Sequence, residues 1–594
     1  MVEKILEQIR KTSTAWLVEQ GIANPTVHLE RASKADFGEY ACNIALRYAK
    51  DLKRRPLQIA EEIAIVLDQA QIEGVDKFVV VAPGFINVHF SLKALSDNAV
   101  SIIKAGDQFG QNQHCQGKKW VIEHTSPNPN KAMHLGHMRN NLVGMGIVRL
   151  LERSGAEVVA DAIDNNRGIA IAKLMYGYLA HQKKGKQPTD ISYWSEHKAE
   201  WLTPEEKNIK PDLFVTECYV AAEADIKDDA VEKSVRQMVI DWEAGDEATW
   251  ELWQHVLNYA YQGIERTLNR LGSRWDRVWH EHEHYQKGKD YVEKGLETGV
   301  FQKLEDGAVL TELEEQYGIP DTVVLKQDGT SLYITQDIAL TDLKKKTYGA
   351  ENLVWVVGPE QSLAFRQLFA VCEQLGIGEL DDFTHVTYGY VGLKDEDGSF
   401  KKMSSRAGTV VLIDDVIDEV KATVLKRFKE DGRHEGDEAE ELAEKLAIAA
   451  VKFSFLRSDR TQDLSFDVKQ SVDVHGDSGM YVMYSYVRTQ SIIDKYSGEI
   501  DVITTFEEVG EATPVLRTLL YYPDVLEKSL ADLSVHHIAQ YLLELCGEFN
   551  SWYAKETILD GSDQEKNRMV IVSAVATTIK NALDVLGIET VSKI

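Results

Sequence analysis

Residues 119–163 read KWVIEHTSPNPNKAMHLGHMRNNLVGMGIVRLLERSGAEVVADAI. An apolar, β-prone run, KWVIEHTS, is followed by a polar connection and then by a helical pattern that starts at HLGH and closes at Gly155. A second β-prone run, EVVADAI, comes next. Strand, helix and strand in that order make a βαβ unit, whose two strands lie parallel in one sheet. His134 and His137 stand three residues apart at the hand-over from strand to helix, with Gly136 between them. A helix N-terminus has unpaired amide donors and suits a phosphate group, and two imidazoles there would add side-chain donors. Gly136 would let a flat base or a ribose approach the backbone. As metal ligands the pair lacks a third partner and the glutamate of an HExxH pattern, and no metal site is expected. A core role suits one of the two histidines better than both. Ligands of open α/β sheets sit at the carboxyl ends of strands, and that position favours a nucleotide.

Further along, NLVWVVGPEQSLAFRQLFAVCEQLG at 352–376 gives another strand and helix, and HVTYGYVGL at 385–393 reads as the next strand. The two parts form a doubly wound parallel sheet split by an insertion at about 181–320, which opens on the polar HQKKGKQPTD and continues in helical stretches rich in Glu, Asp and Trp. Ahead of it, residues 1–110 contain helical patterns and the alternating pair KFVVVAPGFINVHFSL broken at Pro83-Gly84, an α+β unit that ends in the polar GQNQHCQGKK. From 416 to 594 the periodicity is helical throughout. The expected fold is therefore multidomain α/β: a split Rossmann domain over 118–415 with a helical insertion, an N-terminal α+β domain, and a C-terminal all-α bundle.

With 44% hydrophobic and 27% charged residues among 594, the composition is that of a globular protein, and no apolar run is long enough to span a membrane. The amphipathic start MVEKILEQIRKTSTAWLVEQ lacks the apolar block of a signal peptide, so a cytoplasmic location is expected. Five cysteines far apart in the chain suggest neither disulfides nor structural zinc. The formal charge of −29 argues against a nucleic-acid partner only weakly, because local clusters such as KRR at 53–55, KKK at 344–346 and KK at 401–402 can form basic strips. Taken singly, each reads as a solvated face.

A second polar loop, GSFKKMSSRAGTVV at 398–411, carries adjacent lysines, hydroxyls and an arginine. Alone it is unspecific. Paired with HLGH in a split nucleotide fold, it can close on a triphosphate from the opposite side.

HLGH followed by KMSSR resembles the HIGH and KMSKS signatures of class I aminoacyl-tRNA synthetases, and the flanking sequence resembles the arginyl-tRNA synthetase family over nearly the whole chain. HLERASKADFGEYACNIALRYAK and APGFINVHF are similar to its N-terminal, D-loop-touching domain. SPNPNKAMHLGHMRNN is similar to its ATP and arginine site, LYITQDIALTDLK to its substrate strand, and YVMYSYVRTQSI to its anticodon-binding helix. The resemblance implies an arginine–tRNA ligase that uses ATP with Mg²⁺ and takes L-arginine and tRNA(Arg) as partners, with no membrane and a single copy of the chain. By the same resemblance His134, Gly136, His137, Lys402, Met403 and Ser404 bind ATP, with His134, His137, Lys131 and Lys402 taking part in catalysis. Asp337 and Glu281 are the acids for the guanidinium, Tyr333 closes the pocket, and Asn128 and Gln361 hold the backbone end of the amino acid. Phe85 and Asn87 are expected at a D-loop base, and Tyr481, Tyr484 and Arg488, on one helix face, at the anticodon. Read from the residues alone, Tyr333 could be a strand core residue, Glu281 could lie on a charged surface, and Tyr484 could belong to a helix core.

The chain departs from the family pattern in three places. Ser405 stands where KMSKS has its second lysine, and Lys131, just before HLGH, would supply the missing charge. Asn165-Asn166-Arg167-Gly168 replaces a GDWG-like stretch, and Ala364 stands where the family commonly has a histidine. A class I synthetase for another amino acid and a non-catalytic RNA-binding scaffold are the alternatives; the acidic pocket candidates and the donors in both signature loops count against them.

Overall fold

The computed structural model describes residues 2–32, 34–330, 332–394, 400–402, 411–432, 434–498 and 512–594. They fall into two compact units: Asn112–Val472 with Leu533–His536, and Met1–Gln111 with Asp473–Asp532 and His537–Ile594.

The first unit is built on a five-stranded, wholly parallel sheet. In spatial order its strands are Phe383–Val386, Asn352–Val356, Lys119–Glu123, Glu157–Asp164 and Arg277–His280. Strand order reverses between Lys119–Glu123 and Asn352–Val356, and the crevice beyond their carboxyl ends is where such folds place ligands. The helix Leu135–Arg153 follows the first of these strands, as its 3.6-residue period requires. It is buried on nearly every side, so its glycines matter. A Cβ on Gly144 would stand 2.3 Å from the Cβ of His124, so the bare position lets the helix lie directly on the strand end.

Three elements differ from the sequence reading. Arg277–His280, inside the expected insertion, is the edge strand of the sheet; four residues with one buried side chain are too few for a pattern to declare itself. The strand read at 385–393 is two: Phe383–Val386 in the parallel sheet, and Val391–Lys394 in a small sheet with Phe400–Lys402 and Leu464–Phe466. LYITQDIALTDLK, read as a strand, lies in the helix Tyr333–Tyr348, whose buried Thr335, Ile338, Thr341 and Lys344 recur every three residues along one side. The helical part of the insertion packs its own core around Trp194, Trp201, Phe214 and Trp253. Beyond 415 the helices Ile413–Asp431 and Gly436–Leu456 still belong to the unit of the parallel sheet, which runs to Val472, so position 416 falls inside a helix of that unit.

The second unit joins the two ends of the chain. The antiparallel sheet Leu29–Arg31, Tyr40–Cys42, Phe85–Phe90 and Val75–Val81 contains the expected pair around Pro83-Gly84. Its buried Glu39 carboxylate accepts from Arg517 Nε at 2.6 Å and from the Phe90 amide at 2.6 Å. Tyr40 donates to Asp524 at 2.8 Å. The C-terminal helices Gly479–Lys495, Thr513–Leu520, Tyr522–Ala531, His536–Tyr553 and Glu565–Val585 follow the predicted periodicity. Among the described residues no helix is long and apolar enough to cross a membrane.

Candidate active site

His134 is the N-cap of Leu135–Arg153, and its ring folds back over the first turn. Its Nδ1 accepts from the Gly136 amide at 3.1 Å, while His137 Nδ1 accepts from the His134 amide at 3.2 Å. The rings stack with centroids 3.9 Å apart. Both Nδ1 atoms are thus acceptors, so each neutral ring carries its proton on Nε2. Burial, aided by Lys131, lowers His134 to about 4, and burial with His134 and Lys131 beside it lowers His137 well below the ordinary range. Near neutrality the pair is two uncharged N–H donors with fixed tautomers at a helix start. Gly136 also makes room for the ring of His134: a Cβ there would stand 3.0 Å from His134 Cε1.

Lys131 is partly buried, which lowers its pKa, and its ammonium has no hydrogen-bond or ion-pair partner among the described residues. Leu412 bridges His134, Leu135 N–H donates to Val411 O, and Ile413 N–H to Met133 O. The chain leaving the second signature loop is therefore stitched to the first. Lys402 closes the strand Phe400–Lys402; Met403, Ser404 and Ser405 lie outside the described residues.

The switch point is held by asparagines. Asn140 Oδ1 accepts from the Thr125 amide at 2.7 Å, and its Nδ2 donates to Val356 O at 2.7 Å and to Tyr388 Oη at 3.1 Å, tying the two central strands together. Thr125 holds a φ of 57°, and Asn141 Nδ2 donates to its hydroxyl at 3.1 Å.

Beneath the helix Tyr333–Tyr348 lies a buried ion triplet. Lys344 Nζ is 2.6 Å from Glu123 Oε2 and 3.0 Å from Asp161 Oδ1, and Trp279 Nε1 donates to Asp161 at 2.9 Å. Burial would lower the lysine, but the two carboxylates outweigh it and raise its pKa. Asp337, two turns earlier, has no hydrogen-bond or ion-pair partner for its carboxylate among the described residues. Burial and Glu123 push it up to about 7, Lys344 opposes them and Glu281 adds to the rise.

Glu281 begins a short helix at the carboxyl end of Arg277–His280 and is mostly covered, so it is not a surface acid. Tyr333 begins its own helix and is 84% exposed, so it is not a strand core residue. Asn128 is exposed and accepts from Asn165 Nδ2 at 3.2 Å. Gln361 is exposed at the N-cap of Ser362–Gln374, with Ala364 exposed on the first turn. All of these lie on segments following the carboxyl ends of the parallel strands or at helix starts nearby.

In the other unit, Phe85 is exposed and Asn87 buried, on the same strand face. Tyr481, Tyr484 and Arg488 share the outward face of Gly479–Lys495, between buried residues. Arg488 also bonds Asn550 and lies over the Tyr553 ring.

Sequence reading missed the ion triplet, the asparagine stitch and Arg167. KKK at 344–346 was read as a solvated face, yet only Lys346 is largely exposed; Lys344 is buried and Lys345 pairs with Asp382. The available signal was an acid inside each apolar strand, Glu123 and Asp161, each requiring a buried cation.

A doubly wound sheet, paired imidazole donors at the first helix start and a second loop returning beside them define a class I aminoacyl-tRNA synthetase catalytic domain. The family model described as tRNA synthetases class I (R), catalytic domain, matches residues 99–468; those for the arginyl tRNA synthetase N terminal domain and the DALR anticodon binding domain match 1–90 and 482–594. The chain belongs to the arginyl-tRNA synthetase family. It is 34% identical to an arginine–tRNA ligase of Treponema denticola, over 94% of this chain and 93% of that protein, and 32% identical to one of Flavobacterium psychrophilum, over 90% and 89%. Its fold matches Thermus thermophilus arginyl-tRNA synthetase with a TM-score of 0.82 at 21% identity, covering 99% of this chain and 100% of that one.

Proposed function

We propose that the chain joins L-arginine to tRNA(Arg) at the carboxyl end of the parallel sheet, and that the residues divide the work as follows. The arginine carboxylate attacks the α-phosphorus of ATP in line, giving arginyl-adenylate and pyrophosphate; a terminal ribose hydroxyl of the tRNA then takes the arginyl group and AMP leaves. Little covalent help is required, so position and charge stabilisation carry the catalysis.

His134 and His137 present Nε2–H donors to the phosphates with their tautomers already set. Lys131 brings a positive charge from the same side, and Lys402 is assigned a second charge for the phosphates. Mg²⁺ arrives on the phosphate oxygens of ATP and would neutralise the leaving pyrophosphate; among the described residues no group of three or more His, Cys, Asp or Glu side chains is placed to hold a metal ion. Asp337 and Glu281 take the guanidinium, Asn128 and Gln361 the α-amino and carboxylate end, and Tyr333 folds over the bound amino acid. Phe85 with Asn87 and Tyr481, Tyr484 and Arg488 contact the tRNA.

One observation carries the choice of substrate: among the described residues the covered Asp337 carboxylate has no hydrogen-bond or ion-pair partner, and a second acid, Glu281, acts on it. Such a carboxylate is costly unless a ligand supplies the charge. The test is charging of bulk tRNA with ATP, Mg²⁺ and each amino acid in turn; arginine alone should be accepted, and charging with lysine instead would sink the assignment. In the same assay Lys131→Ala should lower the rate on the order of a hundredfold, the usual effect of one transition-state donor. Ser405→Lys should recover part of the loss, whereas a near-normal rate in Lys131→Ala would remove its role.

A further inference from the structure

Arg167 stands between the strand Glu157–Asp164 and the helix Ile169–His181. Its side chain is 12% exposed and pairs with two acids: Glu243, in a close hydrogen bond, and Glu281, with Nη1 3.6 Å from Oε1. The guanidinium carbon lies over the Tyr285 ring, 3.8 Å from its centroid, with the Trp242 ring centroid at 5.6 Å. The neighbouring residue is pinned as well: Asn166 O accepts from Trp253 Nε1 at 2.6 Å and its side-chain Nδ2 meets His282 Nδ1 at 3.0 Å. A guanidinium fixed by a ring, an acid and a tethered backbone cannot follow a ligand in and out.

We infer that Arg167 is a positioning residue for the arginine pocket: a resident guanidinium that engages one side of Glu281 and holds that carboxylate charged and aimed at the substrate guanidinium.

The inference rests on the reading of Glu281 as a substrate ligand. The groups acting on Glu281 are Arg167, Asp164 on the neighbouring strand end, the Gln336 side chain, and Asp337 on the helix Tyr333–Tyr348. His280, which pairs with Asp164 at 2.7 Å, and His282 and Glu283 flank it on its own segment. Burial raises Glu281, Asp164 adds to the rise, and Arg167 is the only cation acting against them among these causes. Without it, two acids and burial would drive Glu281 toward its neutral form, which cannot pair with a second guanidinium.

Steady-state charging of tRNA by Arg167→Gln, Arg167→Lys, Tyr285→Leu and Glu281→Gln tests this. Arg167→Gln should raise the arginine KM about tenfold, the effect of losing about 1.4 kcal/mol of binding, and leave kcat and the ATP KM near wild type. The pH at which the arginine KM begins to climb on acidification should move up. Arg167→Lys should restore most of the affinity. Tyr285→Leu, which removes only the seat of the guanidinium, should shift the KM in the same direction by less, and provides the measurement if Arg167→Gln does not fold. An unchanged or lowered arginine KM in Arg167→Gln, with Glu281→Gln impaired, overturns the inference and leaves Glu281 as a ligand. An unchanged KM in Glu281→Gln overturns the reading of Glu281 itself, and the inference with it.

Discussion

Asp337, proposed to take the substrate guanidinium, carries no ion pair of its own among the described residues. Its folded-state pKa of about 7 stands above the ordinary 3.8, so across that interval the folded protein binds the proton that the unfolded chain has released. Stability contributed by this group therefore falls as pH rises from 3.8 toward about 7 and is flat above. Asp337→Asn should remove that slope, raising the melting temperature at pH 8 while the arginine kcat/KM falls by about a hundredfold or more, the cost of truncating one partner of a buried charge pair. In the wild type the arginine KM should rise on acidification below about 7, where the carboxyl takes its proton; an arginine KM independent of pH would show that this carboxylate does not meet the guanidinium. The histidines behave oppositely: with His134 at about 4 and His137 well below the ordinary range, they stay neutral donors, and the ATP KM should not follow their titration near neutrality.

At the scale of elements, the helix Tyr333–Tyr348 is fixed to the sheet by the Lys344 triplet. Two strands each offer a buried carboxylate, and the ammonium lies between them. Lys344→Met should cost about 3–5 kcal/mol, because it leaves uncompensated buried charge. Adding Glu123→Gln and Asp161→Asn to it should recover most of that loss; urea unfolding measures both, and a fully additive third result would deny the coupling. The helix was taken for a strand from its resemblance to the family's substrate segment, and only the burial of Thr335, Ile338, Thr341 and Lys344 reveals the helical face. The Leu135–Arg153 helix was legible because cap, glycine and apolar period agree within one segment.

At the scale of the whole molecule, the unit that carries both chain ends depends on Glu39, a buried acid whose cation, Arg517, comes from the C-terminal helices. Arg517→Met should destabilise that unit by about 3 kcal/mol or more. Limited proteolysis should then release the first 111 residues together with an opened C-terminal part; release of an intact, folded C-terminal part would contradict the shared core. The sequence reading treated the two ends as separate domains, since nothing in either segment announces a partner placed 478 residues away.

Local pattern alone determined that there would be a split parallel sheet and that HLGH would start a helix at a strand's carboxyl end. Those features are written in neighbouring residues, where period, cap and turn chemistry act over a few positions. Tertiary structure alone decided that Gly136 makes room for His134, that Lys344 is buried, that Arg167 stands beside Glu281 and that the chain ends form one unit. The last three are contacts between segments far apart in the chain, and the burial that sets their charge and geometry exists only after folding; the approach of Gly136 to His134 is local, but depends on the ring folding back over the helix start.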